Sequence, residues 1–340
     1  MNYEDSIGSG RIYIIAEIGG NFLTFEEAKI MIDAAKTCGA DAVKLQTYQA
    51  DTLASRTAMF AFETTGNTSQ YDMFKKYEVG ESLHKEVFAY AQEKGLEVFS
   101  TPSHRTDVEL LEHCGCPIYK VGSDDATNIP FLRELAQLGK PILLATGMCT
   151  LSEVEESVSA MQEEGCQDIS LLHAISLYPT HDEDVNLQAM TTMKKKFPLL
   201  PVGYSDHTIG ITACVCAAAM GAQIIEKHFT YNKNAEGPDH IHSADPAEMK
   251  RLVSAVRQFE VMKGTGIKSP AAGEILSRVN NRKSVVLTKP VKAGERLAEA
   301  CFGLKRPGSG ILPKDVRYAI GREFVRDMEA DEIVKWEDLK

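Results

Sequence analysis

The sequence predicts an α/β fold, a (β/α)8 TIM barrel followed by a small, β-rich C-terminal domain. Three observations predict it, namely eight short apolar runs, amphipathic stretches between them, and a change of pattern after Met262. Near-continuous apolar strands that alternate with helices are typical of parallel strands covered on both faces. Eight such strands favour a closed barrel. A doubly wound open sheet is the alternative.

The predicted strands are rich in Val and Ile. They are Ile12–Ile18, Ala42–Thr47, Glu97–Thr101, Ile118–Gly122, Pro141–Thr146, Ile169–Ala174, Pro201–Ser205 and Gln223–Phe229. Helices between them have clear starts, because Thr24 and Thr150 each precede a Glu by three residues and Asp245 precedes a first-turn proline. Glycines that can end a helix before the next strand stand at Gly39, Gly95, Gly139 and Gly221.

The segment Asp51–Gly80, between the second and third strands, has little periodicity. It is too long for an ordinary connection between a strand and a helix. We therefore expect a binding loop there.

The pattern after Met262 indicates a second domain. A linker-like stretch precedes a short helix at Ala272–Val279, and the run SVVLTKPVKAGERL then alternates around Lys292–Glu295, which predicts a hairpin. Residues 284–340 hold 11 basic and 10 acidic residues, so the acidic excess lies in the barrel region. We place the barrel domain at residues 1–280 and the second domain at 281–340.

Composition excludes several classes of protein. The 340 residues include 37 Lys and Arg against 48 Asp and Glu, a net charge of −11. A nucleic-acid-binding protein or a polybasic membrane-surface protein needs a basic face, which this balance argues against. With 25% charged and 44% hydrophobic residues, the chain reads as a globule and not as a disordered segment. No apolar stretch approaches the roughly 18 residues of a membrane span, and we expect a cytoplasmic protein.

Charged residues inside apolar strands mark the candidate site. Reacting groups of a barrel enzyme come from the carboxyl ends of its strands. Lys44 and Lys120 lie within such strands, where an unpaired charge is costly, so we expect them to bind a phosphate or carboxylate. Neutral donors beside them would be Thr101, Ser123, Thr146 and Ser205. The alternative is that each lysine pairs with a local acid in a structural role.

Two histidines end the last two strands. His207 and His228 are 21 residues apart, which suits two imidazoles that bind one divalent cation. Carboxylates expected nearby are Glu17, Asp125, Asp206 and Glu226. His240 and His242 in the last loop are candidates to face the substrate. The alternative is a pair of hydrogen-bonded structural histidines, and the spacing does not identify a reaction.

Motifs along the whole chain carry a family resemblance. In order they are IIAEIGGN (14–21), GADAVKLQTY (39–48), FSTP (99–102), YKVGSDD (119–125), ATGM (145–148), LYPTHDEDVNL (177–187), GYSDHTIG (203–210), IIEKHFT (224–230) and GPDH (237–240). Together they resemble the N-acetylneuraminate (sialic acid) synthase family. The tail SVVLTKPVKAGE with LKRPGSGILP (304–313) resembles the antifreeze-like (SAF) domain that ends those synthases.

The resemblance implies a transferase that condenses phosphoenolpyruvate with an open-chain N-acetylated hexosamine. The product is a nine-carbon α-keto acid, with release of phosphate. It further implies a domain-swapped homodimer, and Mn²⁺ bound by His207 and His228, with Mg²⁺ or Co²⁺ as alternatives. The residues implied for phosphoenolpyruvate are Lys44, Gln46, Thr101, Lys120, Ser123 and Ser205. Those implied around the sugar are Glu17, Asn67, Tyr178, Asp239 and Arg306.

Some positions depart from the family pattern. Asp124–Asp125 stands where a Gly-Glu pair is usual, so Asp125 is assigned a catalytic role with Glu17, Lys44 and Lys120. Ser176 replaces a common Asn in the substrate site, and Gly20–Leu23 replaces Asn-His-Asn-Gly. These departures leave open whether the acceptor is N-acetylmannosamine or a dideoxy diacetamido sugar. The role of Glu17 also stays open, as do a metal-dependent sugar-phosphate aldolase or isomerase and a non-catalytic sugar-binding protein.

Overall fold

The computed structural model describes residues 2–62 and 66–340, without the side chains of residues 61–67. Within that part of the chain the strands are, in order, Tyr13–Glu17 (β1), Ala42–Thr47 (β2), Met59–Phe62 (β3), Gly66–Ser69 (β4), Glu97–Pro102 (β5), Tyr119–Val121 (β6), Ile142–Ala145 (β7), Ile169–Ala174 (β8), Val202–Asp206 (β9), Ile224–His228 (β10), Ser284–Leu287 (β11) and Phe302–Lys305 (β12). Parallel strands close into a barrel in the order β1-β10-β9-β8-β7-β6-β5-β2. The predicted barrel is confirmed, and each predicted strand agrees with the observed one to within one residue at either end.

Within the described residues, helices alternate with the barrel strands as far as Met262, and further helices follow residue 264. In chain order the helices are Tyr3–Ser6 (α1), Phe25–Cys38 (α2), Ala50–Leu53 (α3), Gln70–Tyr77 (α4), Glu81–Glu93 (α5), Arg105–His113 (α6), Ile129–Ala136 (α7), Leu151–Glu163 (α8), Gln188–Lys196 (α9), Thr212–Ala219 (α10), Pro246–Met262 (α11), Ile275–Asn281 (α12) and Val316–Ala319 (α13). The predicted capping boxes at Thr24, Thr150 and Asp245 are confirmed. Gly39 ends α2 with a φ of 87°, where a residue with a Cβ is strained. In the described part of the chain, no helix is both long and apolar enough to cross a membrane.

Helix α1 lies at the amino ends of the barrel strands. Tyr3 is buried, and its hydroxyl is 2.7 Å from Oγ of Ser170 near the start of β8. The carboxylate of Glu97, the first residue of β5, accepts hydrogen bonds from Tyr3 N at 2.6 Å and from the Tyr13 hydroxyl at 2.5 Å. Side-chain hydrogen bonds of α1 therefore occupy the amino end of the barrel. The carboxyl ends of the strands are where barrel enzymes have their active sites.

The segment Asp51–Gly80 has regular structure and is not an irregular loop, whereas its expected part in binding stays a prediction. It contains α3, the antiparallel pair β3–β4 with Phe60 opposite Thr68, and α4. The ring of Phe74 lies 5.1 Å from that of Tyr48 and 5.6 Å from that of Phe60, between centroids. Strands of four residues show too few alternations to be recognised from sequence.

The chain divides into two compact units, Met1–Gly264 and Thr265–Lys340. In the second unit β11 pairs antiparallel with β12, and Val285, Leu287, Phe324 and Val334 are buried in its core. The tight turn at Lys292–Glu295 forms, with Glu295 N donating to Lys292 O at 3.0 Å. The predicted hairpin is nevertheless wrong, because among the described residues the flanks of this turn bond to residues 301–311 and 321–334 and not to each other. The domain boundary at residue 280 stays a prediction.

Candidate active site

A cavity of about 630 Å³ lies at the carboxyl ends of the barrel strands. Its polar lining comes from strand ends and the loops that follow them, and one wall comes from β3, α3 and α4. The polar lining residues are Lys44, Gln46, Gln70, Thr101, Ser103, Lys120, Ser123, Asp124, Ser176, Tyr178, Ser205, His207, Glu226, His228 and Asp239. The fold thus gathers lining residues that are up to 219 positions apart along the chain, from Gly20 to Asp239.

The floor of the cavity holds two lysines that share one carboxylate. Oε1 of Glu226 on β10 is 4.0 Å from the Nζ of Lys44 on β2 and 4.0 Å from the Nζ of Lys120 on β6. Ser205 donates to the same oxygen at 2.8 Å. Lys44 also lies 2.5 Å from Oε2 of Glu17 and donates to Oγ1 of Thr101 at 3.0 Å. The strand alternation that sends residues 205 and 226 inward explains why these side chains meet.

Burial sets the charge state of this floor. Glu17, Lys44, Lys120 and Glu226 are each at most 4% exposed. Burial lowers the pKa of Lys120 despite the nearby Glu226, and raises the pKa of Glu17 despite the contact with Lys44. Burial also opposes ionisation of Glu226 and Lys44, but their charged partners outweigh it, so the Glu226 pKa is lowered and the Lys44 pKa is raised. Two lysines thus face one carboxylate whose pKa is lowered, and an additional anion beside Lys120 would favour the charged form of that lysine.

Two hydroxyls line the floor beside Gly147, just after β7. Ser123 Oγ accepts a hydrogen bond from Gly147 N at 3.0 Å. A Cβ at position 147 would stand 2.5 Å from Ser176 Oγ and 2.7 Å from Ser123 Oγ, far inside normal contact. Glycine is therefore required for both hydroxyls to reach the same part of the cavity.

A cluster of imidazoles lies next to this floor. Ring centroids of His207 and His228 are 5.4 Å apart, those of His228 and His242 are 5.0 Å apart, and that of Tyr178 is 4.3 Å from that of His207. Nδ1 of His228 and Nε2 of His242 lie 3.5 and 3.6 Å from the carboxylate of Asp239. These three residues each offer a ligand atom within 4.8 Å of the other two.

The chemistry of this cluster fits a divalent cation. Burial lowers the pKa of His207 to about 4 and that of His242 to about 3, and it lowers that of His228 well below its usual value. The imidazoles are therefore neutral and have a lone pair to donate. His228 Nδ1 and His242 Nε2 are buried and have no hydrogen-bond partner among the described residues. His207 Nδ1 is 2.6 Å from Ile175 O, which fixes the ring and leaves Nε2 as the free lone pair.

Asp239, which lies beside His228 and His242, has a raised pKa. Burial, together with the nearby Glu17, raises the pKa of Asp239 to about 7. A bound cation would oppose that shift, because it stabilises the ionised carboxylate. Asp239 therefore fits a ligand or neighbour of a metal better than an isolated surface acid.

Other predicted site residues lie outside the cavity wall. Glu17 is behind Lys44 and accepts from Gln46 Nε2 at 3.3 Å. The lining includes Asp124 but not Asp125, which accepts from Asn128 Nδ2 at 2.8 Å and whose pKa burial raises to about 6. Their predicted catalytic roles gain no support from direct contact with the cavity.

Three more predicted site residues are Thr146, Arg306 and Asn67. Thr146 is buried and its hydroxyl donates to Leu172 O at 3.1 Å, so it turns away from the lining. Arg306 follows β12 in the second unit and is exposed. The side chain of Asn67 lies outside the described residues.

The structure also adds residues that sequence reasoning missed or underrated. Glu226 was named only as a nearby acid, although its spacing of two from His228 on one strand signals the same inward face. His242 was assigned only to the substrate side. An apolar wall, formed by Tyr48, Leu53, Met59, Phe60, Met73 and Phe74, had no recognisable local signal.

Fold and site together define a class of protein. A closed (β/α)8 barrel with a basic, hydroxyl-rich floor beside neutral imidazoles is the framework of a barrel enzyme acting on small anionic molecules. The comparisons agree with this class. Residues 31–268 match the NeuB family and residues 282–340 match the SAF domain. The chain belongs to the NeuB family and is a transferase-type synthase.

Individual relatives span most of the chain. An uncharacterized protein of Methanocaldococcus jannaschii is 42% identical over 98% of this chain and 96% of its own length. The N,N'-diacetyllegionaminic acid synthase of Legionella pneumophila is 38% identical over 96% of this chain and 94% of its own. A crystal structure of N-acetylneuraminic acid synthetase from Leptospira borgpetersenii, in complex with citrate, is 33% identical with a TM-score of 0.70, over 78% of this chain and 90% of that one.

Proposed function

We propose that this protein is a nonulosonic acid synthase. It condenses phosphoenolpyruvate with an open-chain N-acetylated hexosamine and water to give a nine-carbon α-keto acid and phosphate. The observation that carries the proposal is the pair Lys44 and Lys120 around Glu226, in one cavity with the imidazole cluster. Relatives named as synthases of legionaminic and sialic acids support the same reaction class.

Phosphoenolpyruvate would bind on the basic floor. Lys44 and Lys120 neutralise its carboxylate and phosphate, and neutral donors orient it through Gln46, Thr101, Ser123, Ser176 and Ser205. Each hydrogen bond to a charged group contributes about 1.5–3 kcal/mol. Two lysines, each 4.0 Å from the same oxygen of Glu226, suit a ligand that has two anionic groups. The enol methylene is then free to face the second substrate.

The divalent cation would be held by His207 and His228, with Asp239 and His242 completing or supporting the site. Mn²⁺ is our proposal for its identity, with Mg²⁺ or Co²⁺ as alternatives. When bound, such a cation polarises the acceptor aldehyde as a Lewis acid. The buried, unpartnered nitrogens of His228 and His242 are the support that the structure gives to this site.

Glu17 and Tyr178 complete the proposed machinery around the acceptor. The raised pKa of Glu17 and its contact with Lys44 suit transfer of a proton at its carboxyl, or support of the cationic centre when water adds. Tyr178 stacks near His207 and lines the cavity beside the aldehyde position. Asp125 would act through a water bridge, and Thr146 would act only by supporting the floor.

The apolar wall favours one type of acceptor. Tyr48, Phe60, Met73 and Phe74 line the same cavity as the charged floor, and the end of the sugar remote from the aldehyde would contact them. A methyl group or an acetamido methyl buried there gains about 0.8 kcal/mol, whereas a hydroxyl without a partner loses free energy. We therefore propose a dideoxy diacetamido hexosamine over N-acetylmannosamine.

The decisive assay incubates the protein with phosphoenolpyruvate, Mn²⁺ and a panel of N-acetylated hexosamines, and measures phosphate release and product mass. We expect phosphate to appear only with an acceptor, with one nine-carbon keto acid formed per phosphate. Absence of phosphate release with every sugar would overturn the synthase proposal. Cleavage or isomerisation of a sugar phosphate without phosphoenolpyruvate would favour the aldolase or isomerase alternative.

Acceptor choice is tested separately with Phe74→Ser. Its kcat/KM for the dideoxy sugar should fall by about tenfold relative to that for N-acetylmannosamine, because it removes apolar contact from the wall. Phe25→Ser is the matched control, since Phe25 makes an edge-to-face contact with Tyr90 at 5.6 Å between centroids and is not among the residues that line the cavity. An equal loss with both sugars would refute the wall as the determinant.

A homodimer, domain-swapped as the resemblance implies, and a cytoplasmic location remain our proposals. Light scattering of the purified chain tests the first. The proposed contact of Arg306 with the acceptor N-acetyl group predicts that Arg306→Ala raises KM for the sugar and leaves that for phosphoenolpyruvate. Unchanged sugar saturation would remove Arg306 from the site.

A further inference from the structure

A buried ion pair links β9 and β10 outside the cavity. Nζ of Lys227 lies 2.8 Å from Oδ2 of Asp206, and both side chains are 0% exposed. The two residues are direct partners in the parallel register of the strands. Neither belongs to the lining of the cavity. The pair therefore has no direct part in binding the substrates.

The surroundings of this pair satisfy both charges. Asp206 accepts hydrogen bonds from the Tyr204 hydroxyl at 2.9 Å, from Thr208 N at 3.0 Å and from Cys214 Sγ at 3.2 Å. Lys227 also donates to Thr208 O. Burial would raise the pKa of Asp206, but Lys227 outweighs it and holds that pKa below its usual value. An ionised pair this deep is costly to desolvate, and apolar residues of similar volume are often at least as stable there.

Strand alternation gives the pair a function beyond stability. Ser205 and Glu226 point inward and share a hydrogen bond of 2.8 Å. On β9, Ser205 is followed by Asp206 and then His207. On β10, Glu226 is followed by Lys227 and then His228. A slip of one residue between the strands would turn one of the two histidines away from the other. The ion pair crosses between the strands immediately before the imidazoles and resists this slip, in addition to the Ser205–Glu226 hydrogen bond one residue earlier.

We propose that the Asp206–Lys227 pair is a positioning device for the cation site. It fixes the relative register of His207 and His228, and so the distance between their ligand nitrogens. The inference rests on the proposed function, because it concerns the cation that the imidazoles would hold. Both residues act through the histidines and touch no substrate.

The first test compares two buried aspartates. Asp206→Asn removes the charge next to the imidazoles. Asp41→Asn is the matched control, because Asp41 bonds to Arg257 at 2.6 Å and to Ile14 N at 2.9 Å near the amino ends of the strands. Mn²⁺ affinity is measured by titration calorimetry, well below the Tm of either variant. We expect both variants to lose Tm, but only Asp206→Asn to weaken Mn²⁺ binding, by at least about fivefold.

A second variant separates positioning from stability. The double replacement Asp206→Leu with Lys227→Met removes both charges and leaves apolar side chains of similar volume. We expect its Tm to recover towards that of the unmodified protein while Mn²⁺ affinity stays weakened. Recovery of both would overturn the inference, as would equal Mn²⁺ affinity in Asp206→Asn and Asp41→Asn. If the unmodified protein binds no divalent cation, the cation part of the proposed function fails and the inference fails with it.

Discussion

Lys120 offers the sharpest test of the basic floor. Replacing it by Met keeps the length and the apolar stem of the side chain but removes the ammonium group 4.0 Å from Glu226. The floor then has one lysine facing one ionised carboxylate, so the additional anion meets no net positive charge. Lys44 keeps its contact with Glu17 at 2.5 Å. Because Glu17 partly neutralises Lys44, this lysine alone attracts the ligand less strongly.

The expected magnitude follows from the lost contact. A hydrogen bond to a charged group contributes about 1.5–3 kcal/mol, equivalent to roughly 10- to 150-fold in Kd. We expect the upper part of that range, because Glu226 stays ionised beside Lys44 and repels the ligand. Phosphoenolpyruvate binding should thus weaken by about 100-fold in Lys120→Met.

Titration calorimetry with phosphoenolpyruvate measures the effect, and thermal unfolding checks the fold. Lys85→Met is the matched control, because Lys85 pairs with Glu81 on the exposed face of α5 at 2.6 Å. Lys120→Arg retains the charge and should recover part of the affinity. A change below about threefold in Lys120→Met, with an intact fold, would refute the lysine pair as the anion site.

Three further predictions concern the floor and the surrounding helices. Gly147→Ala should keep the fold but weaken phosphoenolpyruvate binding at least tenfold, since its Cβ displaces the hydroxyl of Ser123; unchanged calorimetry would contradict this. Asp124→Asn should lower kcat/KM more than Asp125→Asn, because Asp124 lines the cavity, and the reverse order would support a catalytic Asp125. Burial raises the pKa of Asp107 from 3.8 to about 6, so the native state favours the proton and loses stability as pH rises through 6. Asp107→Asn should then stabilise the protein by up to about 3 kcal/mol at pH 8, by about half of that at pH 5 and not at pH 3, and a gain in Tm independent of pH would refute the shift.

Most of the barrel could be predicted because its signal is local. A strand buried on both faces is a continuous apolar run, so β2 and β8 were predicted with their observed bounds. The β3–β4 pair could not be predicted, because strands of four residues are too short to show an alternation of apolar and polar side chains. Pairing of β11 with β12 could not be read from the turn at Lys292–Glu295, since the partner strand is chosen by packing in the second unit.

The site residues likewise include some that a local sequence pattern predicts and others that depend on the folded barrel. Lys44 and Lys120 were found because a charge inside an apolar strand is a local anomaly with a free-energy cost. The position of Glu226 between them depends on closure of the barrel, which no local pattern shows. The direction of a side chain is also hard to predict from sequence. Thr146 lies at a strand end as predicted, but its hydroxyl donates to the carbonyl of Leu172.

The most direct test is a crystal structure of the protein with phosphoenolpyruvate and Mn²⁺, using anomalous scattering to locate the metal. We expect the anionic groups of phosphoenolpyruvate within hydrogen-bond distance of both Lys44 and Lys120. We also expect one Mn²⁺ peak in the same cavity, bound by His207 and His228. Phosphoenolpyruvate away from the two lysines, or a metal peak away from these imidazoles, would contradict the proposed site.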